Sequence, residues 1–302
     1  MLDKRYMTLS TLAETKSYTQ AANQLFITQP AVSQQIKSLE DELNLKLVDV
    51  TNRKIKLTDV GKKLATYVKQ IDLESSKVIE QLQNANKESS LKLGCTLSLS
   101  STLLPQFISQ LSSTTKVITT EINNTDHILQ NIRDGKVDFG LIEGNFNKDE
   151  FDSIFLRKEQ FICVTNPTVN LQSPTAIENI FDQSILVRER GSGSREIFEN
   201  WLGTQNYQIE DFKHIVEIAS PNVIIKLLEQ NFGISFIYES LVRDEIKTGK
   251  LKRLAIKGFD ITHPINLVFM KNSYFSDTYL KIARSIFPQA NFGFKNNPNG
   301  KA

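Results

Sequence analysis

The chain has 302 residues, and this length predicts two or three domains that each bury a core of their own. Hydrophobic residues make up 40% of the chain and charged residues 23%, which excludes a disordered or fibrous protein. No apolar run reaches the roughly 18 residues of a membrane span, and charged residues interrupt positions 1–20, unlike a secretory signal. We therefore expect a cytoplasmic protein without a membrane partner.

The charge is distributed unevenly along the chain. Lys+Arg number 36 and Asp+Glu 34, which leaves a net charge of +2. Residues 1–70 hold 11 of the basic and 7 of the acidic residues, whereas the remainder holds 25 and 27. The positive charge therefore collects at the N-terminal end.

Residues 1–93 contain only one proline and one glycine, which predicts a mostly helical segment. After a first helix, Ser17-Tyr18-Thr19-Gln20 is typical of a capping box and predicts a short helix to about Leu25, with a break at 26–27. Thr28 can cap the next helix, and Pro30 falls in its first turn, where a missing N–H costs little. The residues expected to be buried by these two helices are Ala21, Ala22, Leu25, Val32, Ile36, Leu39 and Leu43.

The helix pair at about 18–37 has the length and turn of a helix-turn-helix, whose second helix enters the DNA major groove. Residues 48–50 and 55–57 suit a two-stranded wing, and its basic tip would reach phosphate or the minor groove. Glutamine, serine and lysine side chains can bind base edges or phosphate. The candidate DNA-binding residues are Thr28, Gln29, Pro30, Ser33, Gln34, Lys37, Arg53 and Lys54. An ordinary solvated helix face is the alternative.

A long helix is predicted from Lys62 to about Asn86, before a hinge at 87–90. It carries a heptad-like row of apolar or small residues, namely Leu64, Val68, Ile71, Ser75, Val78, Leu82 and Ala85. One helix cannot bury this row alone. Dimerisation is the favoured interpretation, and packing against the later part of the same chain is the alternative.

From Leu91 onward, strands and helices alternate, which predicts a parallel, doubly wound sheet with enough elements for two α/β lobes. The predicted strands are 91–95, 116–122, 137–142, 161–164, 185–188, 214–218, 234–237 and 265–269, and the predicted helices are 102–111, 128–134, 195–201 and 222–229. Residues 291–302 are expected to fray.

Several motifs in the first 61 residues resemble the winged helix-turn-helix of LysR-type transcriptional regulators. They are Ser17-Tyr18-Thr19-Gln20-Ala21-Ala22 with Leu25, the run from Thr28 to Ile36, Leu39-Glu40, and Leu57-Thr58-Asp59-Val60-Gly61. Many members have arginine where this chain has Gln34, which changes the side chain available for a guanine or phosphate contact. The remainder of the chain fits the same family over essentially its whole length.

The resemblance implies an α/β chain in three parts. Residues 1–60 would form a winged helix-turn-helix, 61–90 a linker and dimerisation helix, and 91–302 a two-lobed α/β effector domain like a periplasmic binding protein. The first lobe would comprise about 91–161 and 265–302, and the second about 162–264. The ligand of such a domain sits between the lobes, against helix N-termini and the loops after strands.

Two strand-to-helix segments are candidates for the effector site. The turn at 96–100 offers three hydroxyls, and the family's effector often meets this turn. Residues 188–195 contain glycines that allow close backbone approach, and Ser194 can cap the following helix. This second segment resembles the R-E-x-G-S-G-T-R motif of a subgroup with sulfur-assimilation and carbon-fixation regulators, with Arg190 and Ser194 replacing the usual proline and threonine.

A small anionic effector is the resulting hypothesis, and a glycine-rich turn with a serine cap and surface arginines is the alternative. The candidate effector-binding residues are Thr96, Ser98, Ser100, Ser192, Gly193, Ser194 and Arg195.

Enzyme motifs find no support. Gly191-Ser192-Gly193 lacks the third glycine of a dinucleotide fingerprint because Glu196 stands there, and neither a phosphate loop nor a G-x-S-x-G elbow is present. The histidines and cysteines lack metal-binding or disulfide spacing, so Cys95 and Cys163 are expected to be buried thiols. We therefore expect no catalytic residues, no metal and no cofactor. The histidines, expected to be structural or on the surface, are His127, His214 and His263.

These features predict a transcription regulator that binds double-stranded promoter or operator DNA and a small-molecule effector. Because one helix reads only a few base pairs, paired half-sites and thus a homodimer or homotetramer are expected. RNA polymerase is a further expected partner. The rival hypothesis is a cytoplasmic solute-binding or enzymatic α/β protein that uses its N-terminal helices only for oligomerisation.

Overall fold

A computed structural model describes residues 3–51, 54–83, 90–113, 115 and 117–293. The chain divides into two compact units, Met1–Lys87 and Glu88–Ala302. Within the described ranges, no helix is both long and apolar enough to cross a membrane. Residues 87–89 of the predicted hinge lie outside the described residues, as does Ala85.

The first unit is a helical domain with a two-stranded ladder. Its elements are α1 (Lys4–Thr15), α2 (Tyr18–Leu25), α3 (Gln29–Leu43), β1 (Val48–Thr51), β2 (Lys54–Leu57) and α4 (Asp59–Gln83). The Ser17 side chain accepts the Gln20 N–H at 3.3 Å at the start of α2, which is the serine half of the predicted capping box. The Thr28 hydroxyl likewise accepts the Ala31 N–H at 3.4 Å and begins α3.

The core of this unit is built from one face of each helix. Its buried members are Leu9, Leu12, Ala21, Ala22, Val32, Ile36, Leu39, Leu47, Val48, Leu57 and Ala65. Leu25 was expected in this core but is only half-buried, because it is the last residue of α2 and lies at the edge of the packed region. A Cβ added to Gly61 would lie 2.1 Å from the Leu47 carbonyl oxygen, so α4 approaches the ladder as closely as it does only because residue 61 is glycine.

The second unit is built on one ten-stranded sheet. Its strands are β3 (Ser90–Thr96), β4 (Val117–Asn123), β5 (Phe139–Ile142), β6 (Phe151–Thr165), β7 (Ser184–Val187), β8 (His214–Glu217), β9 (Ile234–Tyr238), β10 (Lys252–Leu254), β11 (Ile261–Met270) and β12 (Asn291–Phe292). Its helices are α5 (Leu97–Ser100), α6 (Leu104–Leu111), α7 (Thr125–Arg133), α8 (Gly193–Thr204), α9 (Pro221–Glu229), α10 (Glu239–Lys247) and α11 (Ser276–Ile286).

The strand order is β4-β3-β5-β11-β6-β9-β7-β8, with β10 and β12 also paired to β6. The prediction of a wholly parallel sheet is wrong, since β6 and β11 run antiparallel to their neighbours. Strands β3, β4 and β5 form one parallel group, and β7, β8 and β9 form another. Only strands joined by a crossover helix must be parallel, whereas the long β6 and β11 pair directly with each other.

The two parallel groups point toward each other. β5 lies beside the part of β11 that pairs with residues 153–155 of β6, and β9 pairs antiparallel with the last five residues of β6, 161–165. Because β5 runs in the same direction as β6 and β9 in the opposite one, the carboxyl ends of both groups meet near the middle of β6. Loops that follow these strands therefore share one cleft.

Two local predictions also change. The predicted strand 161–164 is only the end of the 15-residue β6, whose burial continues back to Phe151. The predicted frayed tail is wrong at its start, because Asn291 and Phe292 pair with Phe155 and Ile154 of β6. Residues 294–302 lie outside the described residues.

Candidate DNA-binding surface and effector cleft

The first unit exposes one face of α3. The predicted DNA-binding residues of this helix and its cap are all exposed, namely Thr28, Gln29, Pro30, Ser33, Gln34 and Lys37. Val32, Ile36 and Leu39 lie on the opposite face and are buried. Arg53 and the side chain of Lys54 lie outside the described residues.

The ladder is held beside the C-terminal end of α3 by the half-buried carboxylate of Glu40. Glu40 accepts the backbone N–H groups of Leu47 at 2.7 Å and Val48 at 3.0 Å. The Thr58 hydroxyl donates to the Lys46 carbonyl at 2.8 Å and accepts the Gly61 N–H at 2.9 Å. These bonds determine where β1 and β2 stand relative to the exposed face of α3.

In the second unit, polar side chains follow the carboxyl ends of strands from both groups. Thr96 and Ser98 come after β3, and Glu143 comes after β5. Arg188 follows β7 in the opposed group. Its guanidinium Nη1 donates to Ser98 Oγ at 3.0 Å, which joins the two lobes through buried atoms.

Glu143 is the most deeply buried carboxylate of this cluster, with 1% of its surface exposed. Burial raises its pKa above the usual range, while hydrogen bonds from the Thr96 and Ser98 hydroxyls and the charge of Arg188 act in the opposite direction. Arg188 itself pairs with Glu189 through Nε–Oε2 and Nη2–Oε1 hydrogen bonds of 2.8 and 2.9 Å. The lobes thus meet around two carboxylates, one guanidinium and hydroxyls.

The start of α8 lies against the loop after β5. A Cβ added to Gly193 would lie 2.6 Å from the Cα of Gly144, so the two backbones touch and neither position has room for a side chain. Asp126 N donates to the Gly191 carbonyl at 3.3 Å, and Asn145 Nδ2 donates to Glu196 Oε1 at 3.1 Å. These contacts are further bonds between the lobes.

The prediction that Ser194 caps α8 is wrong. The cap position is occupied by Ser192, whose side chain does not bond to the helix N–H groups. The Ser192 and Ser194 hydroxyls lie 3.0 Å apart and bond to each other, and both residues are buried. The first-turn N–H groups of α8 therefore receive no cap from Ser192.

Ser100 and Arg195 are engaged within the protein. The Ser100 hydroxyl donates to the Leu97 carbonyl at 2.8 Å in its own turn. Arg195, although buried, donates from Nε to Glu199 at 2.7 Å, from Nη1 to the Arg188 carbonyl at 3.1 Å, and from Nη1 to Glu217. The Arg195 bonds join the start of α8 to the residue after β7 and to the end of β8, whereas the Ser100 bond stays within α5.

Four residues of this region were not predicted as site residues: Thr125, Glu143, Arg188 and Tyr238. Thr125 Oγ1 and Tyr238 Oη are buried and, among the described residues, have no hydrogen-bond partner. Glu143 and Arg188 directly follow a strand, Thr125 is the second residue after β4, and Tyr238 is the last residue of β9. This position after a strand was the available sequence signal.

A cleft of about 740 Å³ opens beside α8. Its lining includes Thr125, Asp126, Asn145, Arg190, Gly191, Ser192, Arg195, Glu196, Glu199 and Glu210. Thr96, Ser98 and Glu143 are buried and are not among the residues that line this cleft. A ligand that contacts them must therefore displace some of the groups that bury them.

Among the described residues, no cysteine or histidine lines the cleft. Cys95 and Cys163 are buried free thiols, as predicted, and burial raises the pKa of each. In the part of the chain that the structure describes, no group of three or more His, Cys, Asp or Glu side chains could hold a metal ion.

We expect Glu143 to make the stability of the second unit depend on pH. Its raised pKa means that its contribution is fully present below its ordinary value of 4.5 and is lost as pH rises through the folded pKa. The side chain of Glu143→Gln stays neutral, so the free energy of unfolding of this variant should improve relative to the natural chain as pH rises above 4.5. Urea unfolding followed by fluorescence of Trp201, the one tryptophan, measures this unit. Glu210→Gln changes an exposed carboxylate and is the control, so its free energy of unfolding should depend on pH as that of the natural chain does. If the free energy of unfolding of Glu143→Gln also runs parallel to that of the natural chain over the pH range, the expectation is wrong.

Comparisons with known proteins agree across both units. Residues 4–62 match the bacterial regulatory helix-turn-helix protein family, lysR type, and residues 84–281 match the LysR substrate binding domain. The chain is 25% identical over 292 residues to the HTH-type transcriptional regulator CysL of Bacillus subtilis, covering 92% of this chain and 95% of that protein. It is 24% identical over 282 residues to a probable RuBisCO transcriptional regulator of Phaeodactylum tricornutum, covering 90% and 91%.

The fold is shared with solved structures of full-length regulators. LysG from Corynebacterium glutamicum, solved with its bound effector Arg, superposes with a TM-score of 0.68 at 17% identity, over 95% of this chain and 98% of that one. The matched families and these relatives are regulators, which excludes the rival enzymatic or solute-binding hypothesis. The chain belongs to the LysR family and is a DNA-binding transcriptional regulator with an effector-binding domain.

Proposed function

We propose that the exposed face of α3 reads base edges in the DNA major groove, with residues 1–60 as the DNA-binding domain. Gln29, Ser33 and Gln34 would bind bases, and Lys37 would bind a phosphate or guanine. The support is the separation of faces, since these side chains are exposed while the opposite face of α3 is buried. Arg53 and Lys54 are proposed to contact phosphate or the minor groove from the basic tip.

Lys37→Ala should weaken DNA binding and lower the salt dependence. If Lys37 neutralises one phosphate, the slope of log affinity against log salt falls by about one unit. Fluorescence anisotropy with operator DNA between about 50 and 200 mM salt measures this slope. Lys247→Ala, which removes an exposed lysine of the second unit, is the matched control. Equal slopes for Lys37→Ala and Lys247→Ala would place Lys37 away from the phosphates.

We propose that the effector binds between the lobes, taken as residues 91–161 with 265–302 and residues 162–264. Its contacts would come from Thr96 and Ser98 on one side and from residues 192–194 on the other. The single observation that carries this proposal is the buried Ser98–Arg188 hydrogen bond between the two lobes. A ligand that replaces this bond would change how the lobes are held, and an anionic group suits the start of α8.

Ser98→Ala and Ser194→Ala should each weaken effector binding and the effector response of transcription. Losing a hydroxyl that binds a ligand costs about 0.5–1.5 kcal/mol, or about two- to tenfold in affinity. Thermal unfolding of the full chain, followed by Trp201 fluorescence with a panel of small metabolites, measures the binding. Ser285→Ala, which changes an exposed serine of α11, is the control. An unaltered ligand-induced shift in both site variants would reject the assignment.

We further propose that α4, within the linker predicted at 61–90, joins two copies of the chain. Val68 in the predicted row is buried, whereas Leu82 in the same row is 72% exposed. An apolar residue this exposed, in line with a buried valine and with half-buried residues, suits a partner helix. Two copies would present two recognition helices to paired half-sites, and two such dimers would form a tetramer.

Leu82→Ala should raise the dissociation constant of the dimer at least about tenfold, because burying one leucine is worth about 1.5–3 kcal/mol. Analytical ultracentrifugation over a concentration series measures this constant. Glu80→Ala alters an exposed residue of the same helix outside the row and should leave the constant unchanged. If the Leu82→Ala dimer has the same dissociation constant as the Glu80→Ala dimer, the proposal that α4 forms the interface through Leu82 is wrong.

Effector binding is proposed to act on transcription by favouring one arrangement of the lobes, and through residues 61–90 one spacing of the DNA-binding domains. RNA polymerase would respond to the DNA-bound arrangement. A ligand can shift this equilibrium only by its difference in affinity for the two arrangements, so the buried contacts between the lobes are where that difference must arise.

A further inference from the structure

The region between the lobes holds more negative than positive charge. The Arg188 guanidinium pairs with Glu189, while Glu143 adds a second carboxylate. The cleft beside α8 is lined by the carboxylates Asp126, Glu196, Glu199 and Glu210 and by the guanidinium groups of Arg190 and Arg195. A purely anionic ligand would therefore enter against net negative charge, which is unfavourable where water is excluded.

Glu143 retains capacity to accept hydrogen bonds. A carboxylate offers about four lone-pair sites, and the Thr96 hydroxyl, the Ser98 hydroxyl and the backbone N–H of Glu143 itself use three of them. Among the described residues Glu143 forms no ion pair, because the nearby guanidinium of Arg188 pairs with Glu189. A buried carboxylate without a paired cation is unfavourable, and a positively charged group on a ligand would offset that cost.

Two buried hydroxyls beside these groups also lack partners among the described residues. Tyr238 Oη lies close enough to Glu143 for the carboxylate charge to add to the effect of burial, which raises the pKa of Tyr238. Thr125 Oγ1 faces the start of α8, since a Cβ on Gly193 would lie 3.0 Å from it. Unpaired buried hydroxyls are unfavourable, and a ligand could accept from both.

Glu143, which can bind a cationic group, and the N-terminus of α8, which can bind an anionic group, lie close enough for one small molecule to contact both. Gly144 follows Glu143 and touches Gly193, the first residue of α8. Since consecutive Cα atoms are 3.8 Å apart, the Cα atoms of Glu143 and Gly193 lie within about 8 Å. The 12-residue α8 directs its free N–H groups and positive dipole end to this point.

We propose that the effector is a small zwitterion of the amino-acid type, whose ammonium group donates to Glu143 and whose carboxylate accepts from Arg188 and the first turn of α8. The Ser98 hydroxyl then turns from Glu143 to the ligand carboxylate, and the ammonium group takes its place on Glu143. The Ser98–Arg188 hydrogen bond is exchanged for bonds to the ligand carboxylate. This inference rests on the proposed effector site and replaces a plain anion with a molecule that carries both charges.

The test compares molecules that differ only at the proposed ammonium group. The full chain is titrated with each common L-amino acid, with the 2-hydroxy acid of the same carbon skeleton, and with sodium sulfate, and Trp201 fluorescence reports the unfolding temperature. One amino acid is expected to raise it, while its 2-hydroxy counterpart binds at least about tenfold more weakly.

Variants then locate the effect. Glu143→Gln should lower affinity for that amino acid at least about tenfold and remove the preference over the 2-hydroxy acid, while Glu143→Asp should keep the preference. Glu210→Gln, which removes a carboxylate at the rim, should change affinity less than about twofold. Unfolding temperatures without ligand establish that each variant is folded.

The outcomes separate this inference from the site on which it rests. Sulfate or a 2-hydroxy acid that binds as tightly as any amino acid, with loss in Ser98→Ala, overturns the zwitterion and keeps the site. An amino acid whose binding Glu143→Gln leaves intact overturns the role of Glu143, as does equal loss in Glu210→Gln. Absence of stabilisation by every amino acid rejects the inference, and binding that ignores both Ser98→Ala and Glu143→Gln rejects the site as well.

Discussion

The opposed direction of the two parallel strand groups is the constraint on which the effector region depends. The carboxyl ends of β5 and β9 face each other because the strands lie along different halves of β6 with opposite senses. The loops that follow the strands of both groups therefore lie at one cleft. The buried Ser98–Arg188 hydrogen bond is possible only because of this geometry.

The same geometry brings the backbones of the two lobes into direct contact beside the cleft. Gly144 and Gly193 allow the backbones of the two lobes to touch, so the lobes close over Glu143 and its hydroxyl partners. Buried charges and unpaired hydroxyls are unfavourable in such a place unless a partner satisfies them. A ligand that supplies those partners thus gains differential affinity for one arrangement of the lobes, which is what a regulator needs.

In the first unit, the packing of α3 determines which of its faces is exposed. Its small core takes one face of α3, which leaves the opposite face free for a partner. Glu40 and Thr58 bind the backbone around the ladder and hold it against the helical core. A change in either residue would remove these bonds to the ladder without altering the exposed side chains of α3.

Local signals in the sequence were sufficient for the helices and the ladder of the first unit and for the family, but not for every element of the second unit. Caps such as Ser17 and Thr28 act on N–H groups within three residues, so their effect can be predicted without knowledge of the fold. The same reasoning failed at Ser194, where the hydroxyl bonds to Ser192 instead of capping α8. The direction of β6 and β11 was also missed, since alternation of strands and helices does not distinguish a strand that pairs directly with a distant one.

The sequence by itself determined the helix-turn-helix, the exposed face of α3 and the presence of hydroxyl-rich turns before helices, because each depends on residues within a few turns of chain. Only the tertiary structure decided which of those side chains meet. Thr96 reaches Glu143 across 47 positions and Ser98 reaches Arg188 across 90, distances over which no periodicity or cap carries information. The charge of the cleft depends on which residues meet there. It could not be predicted from the sequence, because the direction of the strands decides which residues come together.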